Sequence, residues 1–289
     1  MIQISNEKLT VSLTEKGAEL EHIFSKDFNL EYLWNGDPAI WGKKSPALFP
    51  IVGALKEQTY HYNGDDYTLG RHGFAREQVF TVTEQGTDYV TFRLTDNEAT
   101  RLVYPFRFAF SITYLLQDDQ LQVTYLVENK DEQELLFSVG GHPAFNVPLV
   151  EGTTYEDYYL YFNKEENADR WPVTTTGQIG LSPQPMLQHT HELPLHKSLF
   201  YEDALVFKQL ASTAISIKSK STPHGLTLAF EGFPYMGIWA AKDADFVCIE
   251  PWCGIADSVA ATGELREKEG INRLSPGKKF ERTWTATFF

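Results

Sequence analysis

Along most of this chain apolar and polar residues alternate with a period of two, and no sustained stripe at i, i+3, i+4, i+7 accompanies them. Segments patterned this way lay one face on a core and the other toward water as strands, which rules out a helical bundle. Residues 79–83 and 89–94, joined by Glu84-Gln85-Gly86-Thr87-Asp88, read as a hairpin. Residues 106–114, 121–127 and 135–139 continue the alternation and are expected to form an antiparallel meander. Further strands are expected at 9–13, 214–218, 226–230, 237–241, 246–249 and 283–289. The stretch 146–200, with its clustered Pro, Gly, Thr and His, reads as rim loops. The expected class is all-β, and residues 1–289 are read as a single domain because large β-sandwiches use such a length in one piece.

Hydrophobic residues make up 42% of the chain and aromatic residues 14%, enough for a large core. The net charge of −14 repels phosphate backbones and anionic lipid heads, and no basic patch offsets it. Neither a nucleic-acid nor a membrane partner is therefore expected. The first eight residues lack a basic segment followed by an apolar one, and no later run reaches bilayer length, so a cytoplasmic location is expected. Cys248 and Cys253 are too few for a disulfide framework or a structural zinc site and read as reduced, with one or both of them buried. His189, His191 and His196 lie in a loop-like segment without the flanking carboxylate or cysteine of a metal site, so no metal is expected there.

Four places carry candidate chemistry. His142 ends an apolar strand in Val139-Gly140-Gly141-His142-Pro143, where two glycines permit close backbone approach and proline stiffens the exit. It reads either as a proton donor at a rim or as a half-buried histidine bonded to a loop. Glu250 follows the apolar run 246–249 and precedes Pro251-Trp252, which suits a base aimed into a pocket or a strand-end partner of a surface arginine. Arg71, His72 and Arg76 place three groups that are or can be cationic within six residues, around Gly73 and Phe74, fitted to hydroxyls, a carboxylate or a phosphate, or else to solvent. Asp203, before the apolar run 204–207, is either a hydroxyl acceptor or a turn residue.

Taken in order and spacing, Arg71-His72-Gly73-Phe74-Ala75-Arg76, Tyr104-Pro105-Phe106, Gly141-His142-Pro143-Ala144-Phe145-Asn146, Asp203-Ala204-Leu205-Val206-Phe207 and Ile249-Glu250-Pro251-Trp252 resemble the aldose 1-epimerase (galactose mutarotase-like) family over essentially the whole chain, and the LacX-type branch most closely. The resemblance implies a large antiparallel β-sandwich, the galactose mutarotase-like supersandwich, and a cofactor-independent enzyme acting on a small-molecule sugar as a monomer or homodimer. It places the family's acid on His142, its base on Glu250, its binding histidine on His72 and its hydroxyl-binding aspartate on Asp203. Acid and base are expected on opposite sides of one sugar, with Trp252 or Phe74 stacked on its apolar face. In two places the chain departs from the family. Ala54-Leu55-Lys56 stands where the family has an upstream arginine, passing that contact to Arg71 or Lys56, and Ala144 stands where many relatives have tyrosine. Two other readings accompany the mutarotase. A hexose-6-phosphate mutarotase would use Arg71, Arg76 and Lys56 as an anion clamp, and a non-catalytic sugar-binding protein would share the fold without the chemistry.

Overall fold

The computed structural model describes all 289 residues and is built almost wholly of antiparallel strands. Its largest sheet has nine strands in the spatial order Gln184–Pro194, Tyr158–Arg170, Ala214–Ser219, Leu226–Ala229, Lys279–Phe288, Gln120–Asn129, Phe108–Gln117, Tyr89–Thr95 and Thr81–Gln85. A six-stranded sheet contains Leu205–Phe207, Tyr235–Trp239, Phe246–Cys253, Val139–Gly141 and Ala47–Leu48 in that order, with Ala144–Asn146 also paired to Phe246–Cys253. Four strands between Ile2 and Glu31 form a third sheet. The arrangement is the sandwich fold expected from the alternation. The one α-helix, Glu98–Val103, is a six-residue connector capped by Asn97 and Thr100, and no helix is long and apolar enough to cross a membrane.

Three sequence expectations change in the structure. The hairpin and the 108–117/120–129 pair form, but the next segment does not extend the meander. It divides into Leu135–Phe137, paired with Asn272–Leu274, and Val139–Gly141, paired within the six-stranded sheet. The place beside Gln120–Asn129 goes to Lys279–Phe288. Alternation specifies which face of a strand is buried, not which strand lies beside it, so the sequence could not decide this. The third change concerns 146–200, which contains two long strands as well as a loop. Tyr158–Arg170 and Gln184–Pro194 pair across three register shifts, and much of their outer length faces solvent, which lets polar residues populate both faces and masks the period.

Phe246–Cys253 is buried along all eight residues. One side of its sheet, with Leu205, Ile238 and Ile249, joins the 70-residue main core. The other side, with Val206 and Trp252, joins a separate cluster of seven that backs a pocket. The Trp252 indole lies across both neighbouring strands. A Cβ on Gly140 would come within 2.7 Å of its Cδ1, and one on Gly237 within 2.3 Å of its Cζ2. Glycine at these two positions leaves the space that the ring fills. Replacing Gly237 with alanine should force the indole toward the pocket and destabilise the protein by about 1–3 kcal/mol, as overpacking does. Urea denaturation checks this, and an unchanged midpoint would mean that the ring relaxes freely.

Candidate active site

Strand alternation turns Cys248, Glu250 and Trp252 to one face of the six-stranded sheet, and register brings Trp239 opposite Cys248. On this face a cavity of about 310 Å³ is lined by His142, Glu250, His72, Asp203, Arg71, Arg76 and Trp252, together with Trp41 and Trp239. Residues scattered from 41 to 252 are thus brought to one place.

His142 leaves the Val139–Gly141 strand just before Ala144–Asn146 and is only 7% exposed. Its ring is held between two indoles. Trp41 stacks at 5.0 Å between centroids and 28°, and Trp239 meets it edge-on at 5.7 Å. Its Nε2 lies 3.3 Å from Oε2 of Glu250, which is 2% exposed. The contact lacks full hydrogen-bond geometry, and both Glu250 Oε2 and His142 Nδ1 are buried without a hydrogen-bond partner. The sequence expectation put acid and base on opposite sides of a sugar; the structure sets them side by side. The chemistry allows it, because the ring oxygen and the anomeric hydroxyl of a hemiacetal are attached to the same carbon.

Burial pushes both groups toward their neutral forms. It holds the His142 imidazole down to about 3, with the nearby charges of Arg76 and Arg71 acting the same way. It raises the Glu250 carboxyl well above the usual carboxylate range; Arg71 opposes this and Asp203 adds to it.

His72 is fixed by a reciprocal contact with one glycine. Its backbone N–H donates to Gly53 O at 2.8 Å, and the Gly53 N–H donates to His72 Nδ1 at 3.1 Å. With Nδ1 accepting, the neutral ring carries its proton on Nε2, so it serves as a donor. Burial, followed by the fields of His142, Arg76 and Arg71, keeps its pKa well below the usual value. Asp203 occupies the left-handed region at φ 126°, which is strained for a residue with a Cβ. Its Oδ1 accepts from the Ala204 N–H at 2.7 Å, and its Oδ2 lies 3.6 Å from Arg71 Nη2. Arg76 donates to Arg71 O at 2.9 Å, leaving its buried Nε unpaired.

The wall near Gly53 and Ala256 is braced from behind by a buried ion pair. Lys268 Nζ donates to Asp257 Oδ1 at 2.7 Å and to Ile255 O at 2.8 Å, while Asp257 Oδ2 accepts the Lys56 N–H. Backbone bonds from Asp257 to Ala54 and from Ile179 to Asp257 complete the brace.

Two expected contacts do not reach the pocket. Lys56 begins a 3-10 turn after the chain has bent away, and its ammonium donates to Ala261 O; Arg71 takes the pocket position instead. Phe74 packs edge-on against Phe49 and Tyr104 on the main core, leaving Trp252 as the one of the two that lines the pocket. His189, His191 and His196 face three different partners, Glu165, the Phe162 carbonyl and Ser198, rather than one another. Trp41 and Trp239 were not anticipated. Trp41 lies in irregular chain, and Trp239 reaches the site only through a strand register that one sequence does not reveal.

The family model described as aldose 1-epimerase matches residues 1–271. Protein LacX (chromosomal) of Lactococcus lactis subsp. lactis is 33% identical across 99% of this chain and 98% of its own length. A galactose mutarotase related enzyme from Lactobacillus acidophilus superposes with a TM-score of 0.93 at 35% identity, covering 100% of this chain and 97% of that one. A galactose mutarotase-like protein from Lactobacillus casei ATCC 334 gives 0.94 at 29% identity, with both chains fully covered.

His142 should stay neutral from pH 8 down to about pH 5, because its pKa is held down to about 3, and His72, held well below the ordinary histidine value near 6.5, should show no titration at that value. Long-range ¹H–¹⁵N NMR reads this directly, and a midpoint near 6.5 for either ring would contradict the assignment. The stability consequence has a definite sign. Between about 3 and 6.5 the unfolded chain binds the His142 proton and the folded chain does not, so acidification through this window costs stability.

Proposed function

The chain belongs to the aldose 1-epimerase family, and on that premise we propose that it is a mutarotase, interconverting the α and β anomers of a hexopyranose by acid–base ring opening. The observation that carries this reading is the buried 3.3 Å contact between His142 and Glu250, an imidazole and a carboxyl side by side in the wall of a cavity of about 310 Å³. Ring opening needs one proton delivered to the ring oxygen and one removed from the anomeric hydroxyl, with no net proton, electron or group transferred.

In the proposed cycle His142 protonates the ring oxygen while Glu250 takes the proton of the C1 hydroxyl. The C1–O5 bond breaks, the electron pair stays on oxygen, and a C1 aldehyde forms. Rotation about C1–C2 followed by reclosure, with the two roles reversed, gives the other anomer. The charged pair that begins this cycle and the neutral pair favoured by burial hold the same number of protons, so one transfer across the 3.3 Å contact interconverts them. Arg71 biases the pair toward the carboxylate, and the face of Trp41 stabilises the imidazolium. His72 Nε2–H and Asp203 are assigned to sugar hydroxyls, and Trp252 to the apolar face of the ring. Arg71 and Arg76 line the same cavity, so 6-phosphate esters belong in the assay beside the free sugars.

Polarimetry on freshly dissolved α-glucose, α-galactose and their 6-phosphates tests the reading. Glu250→Gln keeps the shape but cannot accept the proton, so turnover should fall by at least about a hundredfold with affinity nearly unchanged. Asp203→Asn should raise KM at least as much as it lowers kcat, because hydroxyl binding is shared by ground and transition states. Near-full mutarotation by Glu250→Gln refutes the assignment, and sugar binding without wild-type turnover points to a lectin-like role.

A further inference from the structure

Cys248 takes no part in the proposed cycle, yet it shares the buried sheet face with Glu250 two residues away. One ligand atom each from His142, Cys248 and Glu250 can be chosen so that all three lie within 4.8 Å of one another. We propose that these three side chains form an inhibitory zinc(II) site that captures the acid–base pair itself. The inhibitory part of this inference rests on the mutarotase reading; the binding part does not.

Geometry and charge both favour the ion. Zinc bonds of about 2.0–2.1 Å to nitrogen and oxygen set tetrahedral ligands about 3.4 Å apart. His142 Nε2 and Glu250 Oε2 are already at 3.3 Å. The thiol sulfur, within 4.8 Å of a ligand atom of each partner, must close in to give the somewhat longer edge that a Zn–S bond of about 2.3 Å requires. Cys248 and Glu250 are successive same-face residues of one strand, so its backbone need not rearrange. Glu250 Oε2 is a buried polar atom with no hydrogen-bond partner, which is the condition a ligand relieves.

Binding is balanced as an exchange. The Cys248 thiol releases one proton to solvent, Glu250 releases whatever proton it holds, and thiolate, carboxylate and neutral imidazole then surround Zn²⁺ with no net charge. A neutral cluster avoids most of the cost of a buried ion. Three protein ligands leave a fourth coordination position for water, and His142 and Glu250 both line the cavity that would supply it. A donor set with one thiolate favours zinc, cadmium or cobalt over magnesium or calcium.

Titration calorimetry of chelator-stripped protein with zinc, and absorption spectroscopy with cobalt(II), provide the test. We expect one ion per chain, a Kd of about 1 μM or tighter, at least about one proton released, and a thiolate-to-cobalt absorption band. About 10 μM free zinc should leave roughly a tenth of the turnover, and EDTA should restore it. Cys248→Ala should turn over like wild type and bind zinc at least about a hundredfold more weakly, matching or exceeding the loss of an outer hydrogen-bond partner. Cys248→Val repeats the comparison at fuller volume if the alanine variant folds poorly, and Cys253→Ala should behave as wild type. Absence of zinc binding, equal affinity in the Cys248 variants, or loss of wild-type turnover on chelation would each overturn the proposal. Cys248-dependent binding in a protein inactive on every sugar would leave the ion site standing and overturn the mutarotase reading instead.

Discussion

Glu250 lies in a strand with no solvent-facing side, and taking a carboxylate out of water costs several kcal/mol unless its charge is matched or its proton retained. Much of the site answers that constraint. Retaining the proton makes the group an acid, and His142 at 3.3 Å gives the proton a second resting place. Arg71, bridging toward Asp203, supplies a field that favours the charged form without neutralising it. Burial thus creates the unusual proton affinity, and the neighbouring charges keep it adjustable.

Rigidity comes from the same strand by a different route. Phe246, Val247, Cys248, Ile249 and Cys253 pack in the main core and Trp252 in the smaller cluster, so the carboxyl is mounted on a strip held by both. The His142 ring is clamped by Trp41 and Trp239, and the His72 ring is tied to Gly53 at two points. The loops that wall the cavity are less regular, and the buried Asp257–Lys268 pair joins three of them through hydrogen bonds that leave neither charge exposed. Positioning of this kind, with side chains locked before substrate arrives, is what proton transfer between geminal oxygens demands.

The sequence disclosed more about the strands than about their neighbours. Alternation located most of the strands because each has one buried face, and it concealed the edge strand Gln184–Pro194 and the solvent-exposed outer half of its neighbour Tyr158–Arg170, where strands need not alternate. Glu250 and Trp252 were legible as same-face residues, since a two-residue spacing is a property of one strand. Trp239 was not, since its place depends on a register set across space. Lys56 illustrates the opposite error. Three residues after Gly53 it looked near enough to substitute for a missing arginine, but a single 3-10 turn redirects its side chain. His142 was recognisable from its glycines and proline, whereas its contact with Glu250, which decides how the proton is shared, is a tertiary fact.

Lys279–Phe288 is the fifth of the nine strands in the large sheet, with four on either side. During synthesis on the ribosome, the segments that flank it are made long before it is. Gln120–Asn129 and Leu226–Ala229 must each wait with an unpaired edge until this strand arrives between them. Open apolar edges are templates for association with other chains, so the nascent protein carries an aggregation hazard until Lys279–Phe288 has emerged. Every residue assigned to the sugar has by then been polymerised, yet the sheet on the far side of the core is still in two halves. Chaperone demand should therefore track the time between synthesis of residue 229 and residue 288, a kinetic property set by strand order alone.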